Sequence, residues 1–366
     1  MYKDGALPDR TILSLMNNSF IVNSDVKNIS PASLDLTISD EVYTIRGLML
    51  SKPGEKIRDL LNLMEATPIS LSEPLICSKL YLAKLNESLS LPSEIYGYCN
   101  PKSSTGRLDV HVRVLADGVP RFDSVTPKGF QGELWAAIFP KSFSIQLHPN
   151  TPLTQLRLFT ADTRFSNLDL ETALKNGLVF EYKTGKQLSY TDLITNDQDG
   201  TVVLTALVEN GLCGYECIAR PEQVLDVAKV GEYEAKDFFK PLVIEDGVLR
   251  LCRDKFYILS GSESICIPPT LASEMIPVDE RSGDFRSHYA GFLDPGWGYG
   301  KDGEGKGRPF TLEVRPFEDL VIRSGQPVAK IRFERMSEVP DIHYDVKSSN
   351  YLKQFGPKLG KQFKTT

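Results

Sequence analysis

Two stretches of this chain hold residues able to move protons or grip phosphates. The first, His288 to Pro316, contains Asp294-Pro-Gly-Trp297, then a polar Gly/Lys loop, then Thr311-Leu-Glu313-Val-Arg-Pro316. Pro295 fixes φ and Gly296 permits positive φ, so the first block predicts a strand ending in a tight turn. The second block predicts a short strand with one carboxylate, Glu313, among apolar neighbours. A carboxylate partly withdrawn from water is suited to shuttling protons. The other stretch, Lys102-Ser103-Ser104-Thr-Gly106-Arg107, offers two cations, the hydroxyls of Ser103 and Ser104, and a glycine. Cations, hydroxyls and backbone N–H groups together suit phosphate oxygens. Taken singly, each piece also has an ordinary reading. Asp-Pro-Gly is a common turn, a strand Glu is often a solvated face, and Lys/Ser/Arg is a common surface loop.

The elements that must position these residues are mainly short strands. At 366 residues the chain is long for one core, which predicts two domains. Hydrophobic content of 41% and charged content of 25% are those of a soluble globular protein. A net charge of −6 argues against a surface built for polyanions. No run of eighteen apolar residues and no signal-peptide core occurs, so the expected location is cytoplasmic. The six cysteines, at 77, 99, 213, 217, 252 and 266, form no Cys-x-x-Cys pair and are expected to be reduced and mostly buried. Cys213-x-x-x-Cys217 is at most half a metal site.

Pro8 to Met16 predicts a helix after a cap, and Pro31 to Ile38 alternates as a half-buried strand. Strand-like runs separated by Gly, Pro, Asn and Ser continue to about Phe159, an all-β pattern. Leu168 to Gly177 predicts a short helix, and Thr201–Val208 with Gly214–Ala219 a hairpin. Polar Arg220 to Ala235 predicts a linker. The expected division is therefore a β domain over 1–165, a helix/hairpin insertion and linker over 166–236, and a second β domain with a tail over 237–366.

The two β regions repeat one another. Leu80-Tyr-Leu-Ala-Lys-Leu-Asn-Glu-Ser-Leu-Ser-Leu-Pro92 lies over Phe256-Tyr-Ile-Leu-Ser-Gly-Ser-Glu-Ser-Ile-Cys-Ile-Pro268 without a gap. Pro152-Leu-Thr-Gln-Leu-Arg157 lies over Pro327-Val-Ala-Lys-Ile-Arg332. Two ordered matches imply a duplicated β domain. Counting three residues back from the strand-closing Pro316 gives Glu313; the same count from Pro140 gives Ala137. One copy alone keeps the carboxylate, which suggests that one carries chemistry and the other supports it.

In order along the chain stand Pro-Ala-Ser-Leu-Asp-Leu at 31–36, Lys-Ser-Ser-x-x-Arg at 102–107, Asp-Pro-Gly-Trp at 294–297, Glu313 on the next strand, and Tyr351-x-x-Gln354 in the tail. This series resembles the dCTP deaminase family of the dUTPase-like superfamily, and in particular its long, duplicated bacterial form. The resemblance implies an all-β fold with a few short helices: two tandem dUTPase-like distorted jelly-roll (β-clip) repeats. It implies a homo-oligomer built on threefold or pseudo-threefold rings, with active sites between subunits. The implied reaction is water attack on C4 of dCTP, giving dUTP and ammonia in dTTP-precursor synthesis. Mg2+ would be bound through the triphosphate, without zinc, and dTTP is a candidate inhibitor. Neither nucleic acid polymers nor membranes are expected partners.

Zinc nucleobase deaminases need His-x-Glu and Pro-Cys-x-x-Cys. The four histidines here, His111, His148, His288 and His343, sit in no such context. By position, the resemblance makes Glu313 the proton shuttle and gives Ser103 the attacking water. Arg107 would orient that site, with Lys102 and Ser104 facing the triphosphate. Ala290, Gly291, Phe292 and Asp294 would form the base and sugar wall, with Trp297 packed behind. Tyr351 and Gln354, followed by Lys358 and Lys361, would close over the triphosphate; their ordinary reading is a basic terminus. Two arrangements stay open. Either the first repeat supplies Ser103 and Arg107 to a pocket holding Glu313, or second repeats alone use Ser282 and Arg286. The fuller match of Lys-Ser-Ser-x-Gly-Arg favours the first. A dUTP diphosphatase, a bifunctional enzyme and a non-catalytic nucleotide-binding regulator are the alternatives. The tail Phe355-Gly-Pro-Lys-Leu-Gly-Lys-Gln-Phe lacks the Gly-rich pattern typical of a diphosphatase.

Overall fold

A computed structural model of the chain describes residues 2–194, 197–278, 285–287 (backbone only), 291–346 and 356–364. Its contacts divide into two units. The first holds Met1–Ala161, Ala219–Tyr233 and Gln362–Thr366; the second holds Asp162–Ile218 and Glu234–Lys361. Both are built from short, mostly antiparallel strands, so the all-β reading stands.

In the first unit the strand order is Val110–Ala116, Gln131–Pro140, Tyr81–Ser90, Ser33–Thr44, Pro152–Phe159, Tyr96–Pro101, Ser124–Val125. The long strand Ser33–Thr44 lies between two long neighbours and also pairs with the short strands Ile29–Ser30 and Thr67–Ile69. Its first half pairs with Pro152–Phe159 and its second half with Tyr81–Ser90, with a register shift between Ile38 and Val42. Such an irregularity bends a strand from one face of a curled sheet to another. The expected N-terminal helix is Asp9–Asn17, which buries Ile12 and Leu15.

In the second unit that long strand is split in two. Thr201–Thr205 pairs with Pro327–Arg335, whereas Gly211–Cys217 pairs with Tyr257–Ile265 and Phe239–Ile244. The hairpin expected between these two strands therefore does not form. Residues 206–210 bend the chain, as the bulge does in the first unit, and the two strands enter different sheets. The remaining pairs repeat the first unit: Tyr257–Ile265 with Arg308–Pro316, that strand with Phe285–Ser287, and Leu271–Ile276 with Phe292–Leu293 and Pro327–Arg335.

Pairing register makes the duplication explicit. Tyr81 faces Ile138 and Tyr257 faces Val314; Gly97 faces Val125 and Ser273 faces Leu293. Side chains repeat as well. The Tyr81 hydroxyl accepts the Ile76 N–H at 2.7 Å, and the Tyr257 hydroxyl accepts the Cys252 N–H at 2.9 Å. The buried Glu87 carboxylate accepts from the Thr37 N–H and hydroxyl, both at 2.9 Å. Glu263 accepts from the Thr205 N–H at 2.8 Å and hydroxyl at 2.6 Å. Burial pushes the Glu87 carboxyl up to about 7 and raises that of Glu263 too.

Residues 166–236 divide between the two units. Ser166 caps the helix Asn167–Leu174 through a capping box with Asp169, and Val179–Glu181 joins the edge of Tyr257–Ile265. Val224–Asp226 instead pairs in parallel with Ser144–Gln146 in the first unit. Five of the six cysteines are buried and all six are free thiols, with Cys252 exposed. No helix among the described residues is long and apolar enough to cross a membrane.

Candidate active site

In the first unit the Lys-Ser-Ser motif forms a single helical turn, Ser103–Gly106. The turn is pinned from beneath: the Lys102 N–H and the Thr105 hydroxyl both donate to the Leu153 carbonyl, at 3.1 and 3.0 Å. Arg107 closes the turn with its N–H on the Ser103 carbonyl at 3.0 Å and is itself 3% exposed. Ser103 is exposed and Ser104 half-buried. The Lys102 ammonium forms an ion pair with Asp35 of the Pro-Ala-Ser-Leu-Asp-Leu segment. Asp35 is a partner that pattern reading did not supply, although its motif was in view.

In the second unit, Glu313 sits on Arg308–Pro316. Phe310, Leu312 and Val314 of that strand join the unit's main apolar core. Alternation sends Thr311 and Glu313 to the opposite face. Their cross-strand partners there are Ser260 and Ile258. This second face is also withdrawn from water: Glu313 is 3% exposed, Thr311 6% and Ser260 1%. The Ser260 hydroxyl finds no hydrogen-bond partner among the described residues. A buried face carrying a carboxylate and two hydroxyls is polar enough to orient water or a polar ring.

The Asp294-Pro-Gly-Trp turn lies at the end of Phe292–Leu293. Asp294 is buried, and the Gly291 carbonyl accepts the Met275 N–H at 3.0 Å. The turn closes through the Trp297 N–H on the Asp294 carbonyl at 3.1 Å; the Trp297 carbonyl then accepts the Ile267 N–H at 2.8 Å. Trp297 packs against the core.

Register also aligns the two turns. Ser273 faces Leu293 as Gly97 faces Val125, so Asp294 corresponds to Thr126 and Pro295 to Pro127. Asp123 matches Gly291; its carboxylate pairs with Arg113 and accepts the Val114 N–H. Register places Arg286 as well. Its backbone pairs with Arg315, and the first-unit residue in that register, opposite Phe139, is His111 rather than Arg107. Ala290, Ser282, Tyr351, Gln354 and the Arg286 side chain lie outside the described residues. Lys358 is half-buried. The chain beyond it is anchored within the first unit: the Glu232 and Tyr233 N–H groups donate to the Gln362 carbonyl at 3.0 and 3.1 Å.

Sequence reading missed a further group, residues 341–346, which fold onto the turn and the loop that follows it. The Tyr344 N–H donates to the Pro295 carbonyl at 2.8 Å, and Trp297 and Tyr344 rings lie 5.0 Å apart. Asp345 accepts the Gly300 N–H at 2.9 Å and sits 2.8 Å from the Arg308 guanidinium. Its only signal in the sequence is the length of the Gly/Lys loop. Twelve residues separate Pro295 from Arg308, against four between Pro127 and Gly132, which holds the position of Arg308 in the first unit. Among the described residues no three His, Cys, Asp or Glu side chains converge as metal ligands.

Comparison with known proteins gives the family. The model for the N-terminal domain of 2'-deoxycytidine 5'-triphosphate deaminase matches residues 3–162, and that for its C-terminal domain matches residues 180–363. The crystal structure of 2'-deoxycytidine 5'-triphosphate deaminase from Agrobacterium tumefaciens superposes with a TM-score of 0.83 at 33% identity, covering 92% of this chain and 97% of that one. No curated protein matches in a sequence comparison. Two family models in order, over nearly the whole length and on a duplicated β fold, make this chain a member of the dCTP deaminase family of hydrolytic deaminases.

Proposed function

We propose that this chain hydrolyses dCTP to dUTP and ammonia, with Glu313 as the group that moves protons. Water adds to C4 of the cytosine ring. Glu313 takes one proton as the water adds and gives it to N3, then takes the second from the new C4 hydroxyl and gives it to the departing amine, which leaves as ammonia. Ser103 holds the water and Arg107 orients that group. Lys102 and Ser104 act on the triphosphate, to which Mg2+ is bound on arrival. Gly291, Phe292 and Asp294, with Ala290, bound the base and sugar. Tyr351, Gln354 and Lys358 contribute from the tail.

The observation that carries this reading is the burial of Glu313, at 3% exposure, on a polar face turned away from the apolar core. Burying a carboxylate is costly, and a buried one on a polar face is a candidate for chemistry. Assignment of the water-holding role to Ser103 and Arg107 is supported by register, because Arg286 matches His111 and not Arg107. Lys102 must exchange Asp35 for phosphate, or share it, when nucleotide binds.

Glu313→Gln tests the reading. General acid–base work of this kind is worth about 10²–10⁴-fold in rate. The variant is expected to lose ammonia release by that factor while still binding dCTP. Wild-type turnover in the variant would sink the role of Glu313. Pyrophosphate followed in the same assay separates deamination alone from a coupled diphosphatase step.

A further inference from the structure

We infer that Asp345 is a positioning residue for the substrate-bounding turn: with Arg308 and the Gly300 N–H it holds the loop 296–307 in place before nucleotide arrives. The inference rests on the deaminase reading and adds to it a residue outside the expected site.

Loop 296–307 contains six glycines, at 296, 298, 300, 303, 305 and 307. Glycine loses more freedom on ordering than any other residue, so such a loop does not stay in one shape unaided. Asp345 supplies what the loop lacks. Its side chain is 3% exposed and lies 2.8 Å from Arg308, whose own side chain is 16% exposed. The approach is that of an ion pair rather than an aligned hydrogen bond. Asp345 also accepts the Gly300 N–H at 2.9 Å, so one carboxylate ties the middle of the loop to its far end. The neighbouring residues of 341–346 reinforce it. Tyr344 donates to Pro295 inside the turn, and His343 meets the Tyr299 ring edge-on at 5.9 Å. Gly296 is closed in from the same side: a Cβ there would fall 2.5 Å from the His343 ring.

The loop begins in the Asp294 turn, and its far end, Arg308, opens the strand that carries Glu313. Bracing it sets the base and sugar wall in advance. Pre-ordering of this kind acts on binding more than on the chemical step. The first unit has four residues where this loop has twelve, as expected if the loop and its brace serve the site and not the fold.

Steady-state kinetics with dCTP, together with hydrogen exchange, on full-length Asp345→Asn decide the matter. The expected result is a KM raised about tenfold, kcat within about threefold of wild type, and faster exchange across 296–307 while 308–316 stays protected. Arg308→Lys keeps a cation opposite Asp345 without the planar fork; it is expected to raise KM about threefold and serves if Asp345→Asn does not fold. A folded Asp345→Asn with KM within twofold of wild type, or with kcat alone reduced, overturns the inference. Wild-type protein that releases no ammonia from dCTP sinks the deaminase reading instead, and exchange across 296–307 then tells whether Asp345 orders the loop.

Discussion

The strand Gln131–Pro140 of the first unit and Arg308–Pro316 of the second pair in the same register, yet Ala137 and Glu313 face different surroundings. Ala137 lies in an apolar cluster with Leu82, Leu115 and Trp135, closed by Ile45, Ile57, Leu60 and Met64. Arg58 then lies over the Trp135 ring at 5.4 Å. The covering residues come from the segment between Ser33–Thr44 and Thr67–Ile69. Register matches that segment to 217–239 of the second repeat, most of which, 219–233, belongs to the first unit's contacts. In place of Leu82, Trp135 and Ala137, the second unit has Ile258, Thr311 and Glu313. Duplication has kept the hydrogen-bonded frame and changed what lies on one face of it. Filled with apolar side chains, that face is core; left polar, it is where chemistry can be done.

The sharpest way to break this contrast is to exchange the two side chains. Glu313→Gln should reduce ammonia release from dCTP by about 10²–10⁴-fold. Ala137→Glu added to that variant should restore nothing. It places a carboxylate among Trp135, Leu115 and Met64, where an unpaired buried charge costs about 3 kcal/mol or more. Calorimetry should therefore show the doubly substituted protein melting well below Glu313→Gln. Recovered turnover would mean that the first unit's face is a competent site after all.

A smaller effect concerns what the two units share. Burial moves the Glu87 carboxyl from an ordinary 4.5 up to about 7, and Glu263 moves in the same direction. Between those values the folded chain holds a proton that the unfolded chain gives up. Stability from this group is thus greatest at low pH and falls as pH rises through about 4.5 to 7. For Glu87 the loss amounts to about 3 kcal/mol at most. Glu87→Gln retains an acceptor for the Thr37 N–H and does not titrate. Its melting temperature should change less between pH 5 and pH 7.5 than that of wild type, and Glu263→Gln should act in the same direction. An unaltered pH dependence in both variants would show that these carboxylates ionise without cost.

Much of the frame was legible because strands of constant register leave a constant spacing. Tyr81, Glu87 and Pro92 recur as Tyr257, Glu263 and Pro268, and the structure gives the two tyrosines and the two glutamates the same partners. Glu313 stood out as a lone carboxylate among apolar neighbours, and counting back from the strand-closing prolines set Ala137 against it. Spacing failed where the copies differ in length. An eight-residue longer loop after Pro295 and a shorter path before Gly291 set Asp294 against Thr126, a match that no constant spacing predicts. The strand 224–226 was read as linker because three residues carry no periodicity. Asp35 and Asp345 escaped because an ion-pair partner far away in the chain leaves no local pattern.

Gly296→Ala probes the same loop from its glycine side. At φ +91° any side chain is strained, and its Cβ would also lie 2.6 Å from His343 Cβ and 2.7 Å from the Tyr344 N. Strain of this kind costs about 1–3 kcal/mol. The matched first-unit residue is Lys128, which carries a side chain over the Tyr96 ring at 5.8 Å. Lys128→Ala should cost less than about 1 kcal/mol. Denaturant unfolding of the two variants should separate them clearly; equal losses would remove the distinction between a braced loop and a plain turn.

The smallest effect tests whether the units are alike where they look alike. Tyr81→Phe and Tyr257→Phe each remove a hydroxyl that accepts a backbone N–H five residues earlier, from Ile76 and Cys252. A backbone donor left dry would cost about 1–3 kcal/mol. Both donor residues reach solvent, however, with Ile76 43% exposed and Cys252 exposed, so water can take over the bond. The cost should fall to about 1 kcal/mol in each unit. Since each ring stays packed, neither substitution should change turnover beyond about twofold. Loss of activity in Tyr257→Phe alone would imply that this tyrosine, on the strand paired with Glu313, has been recruited to the site and is no longer a frame residue like Tyr81.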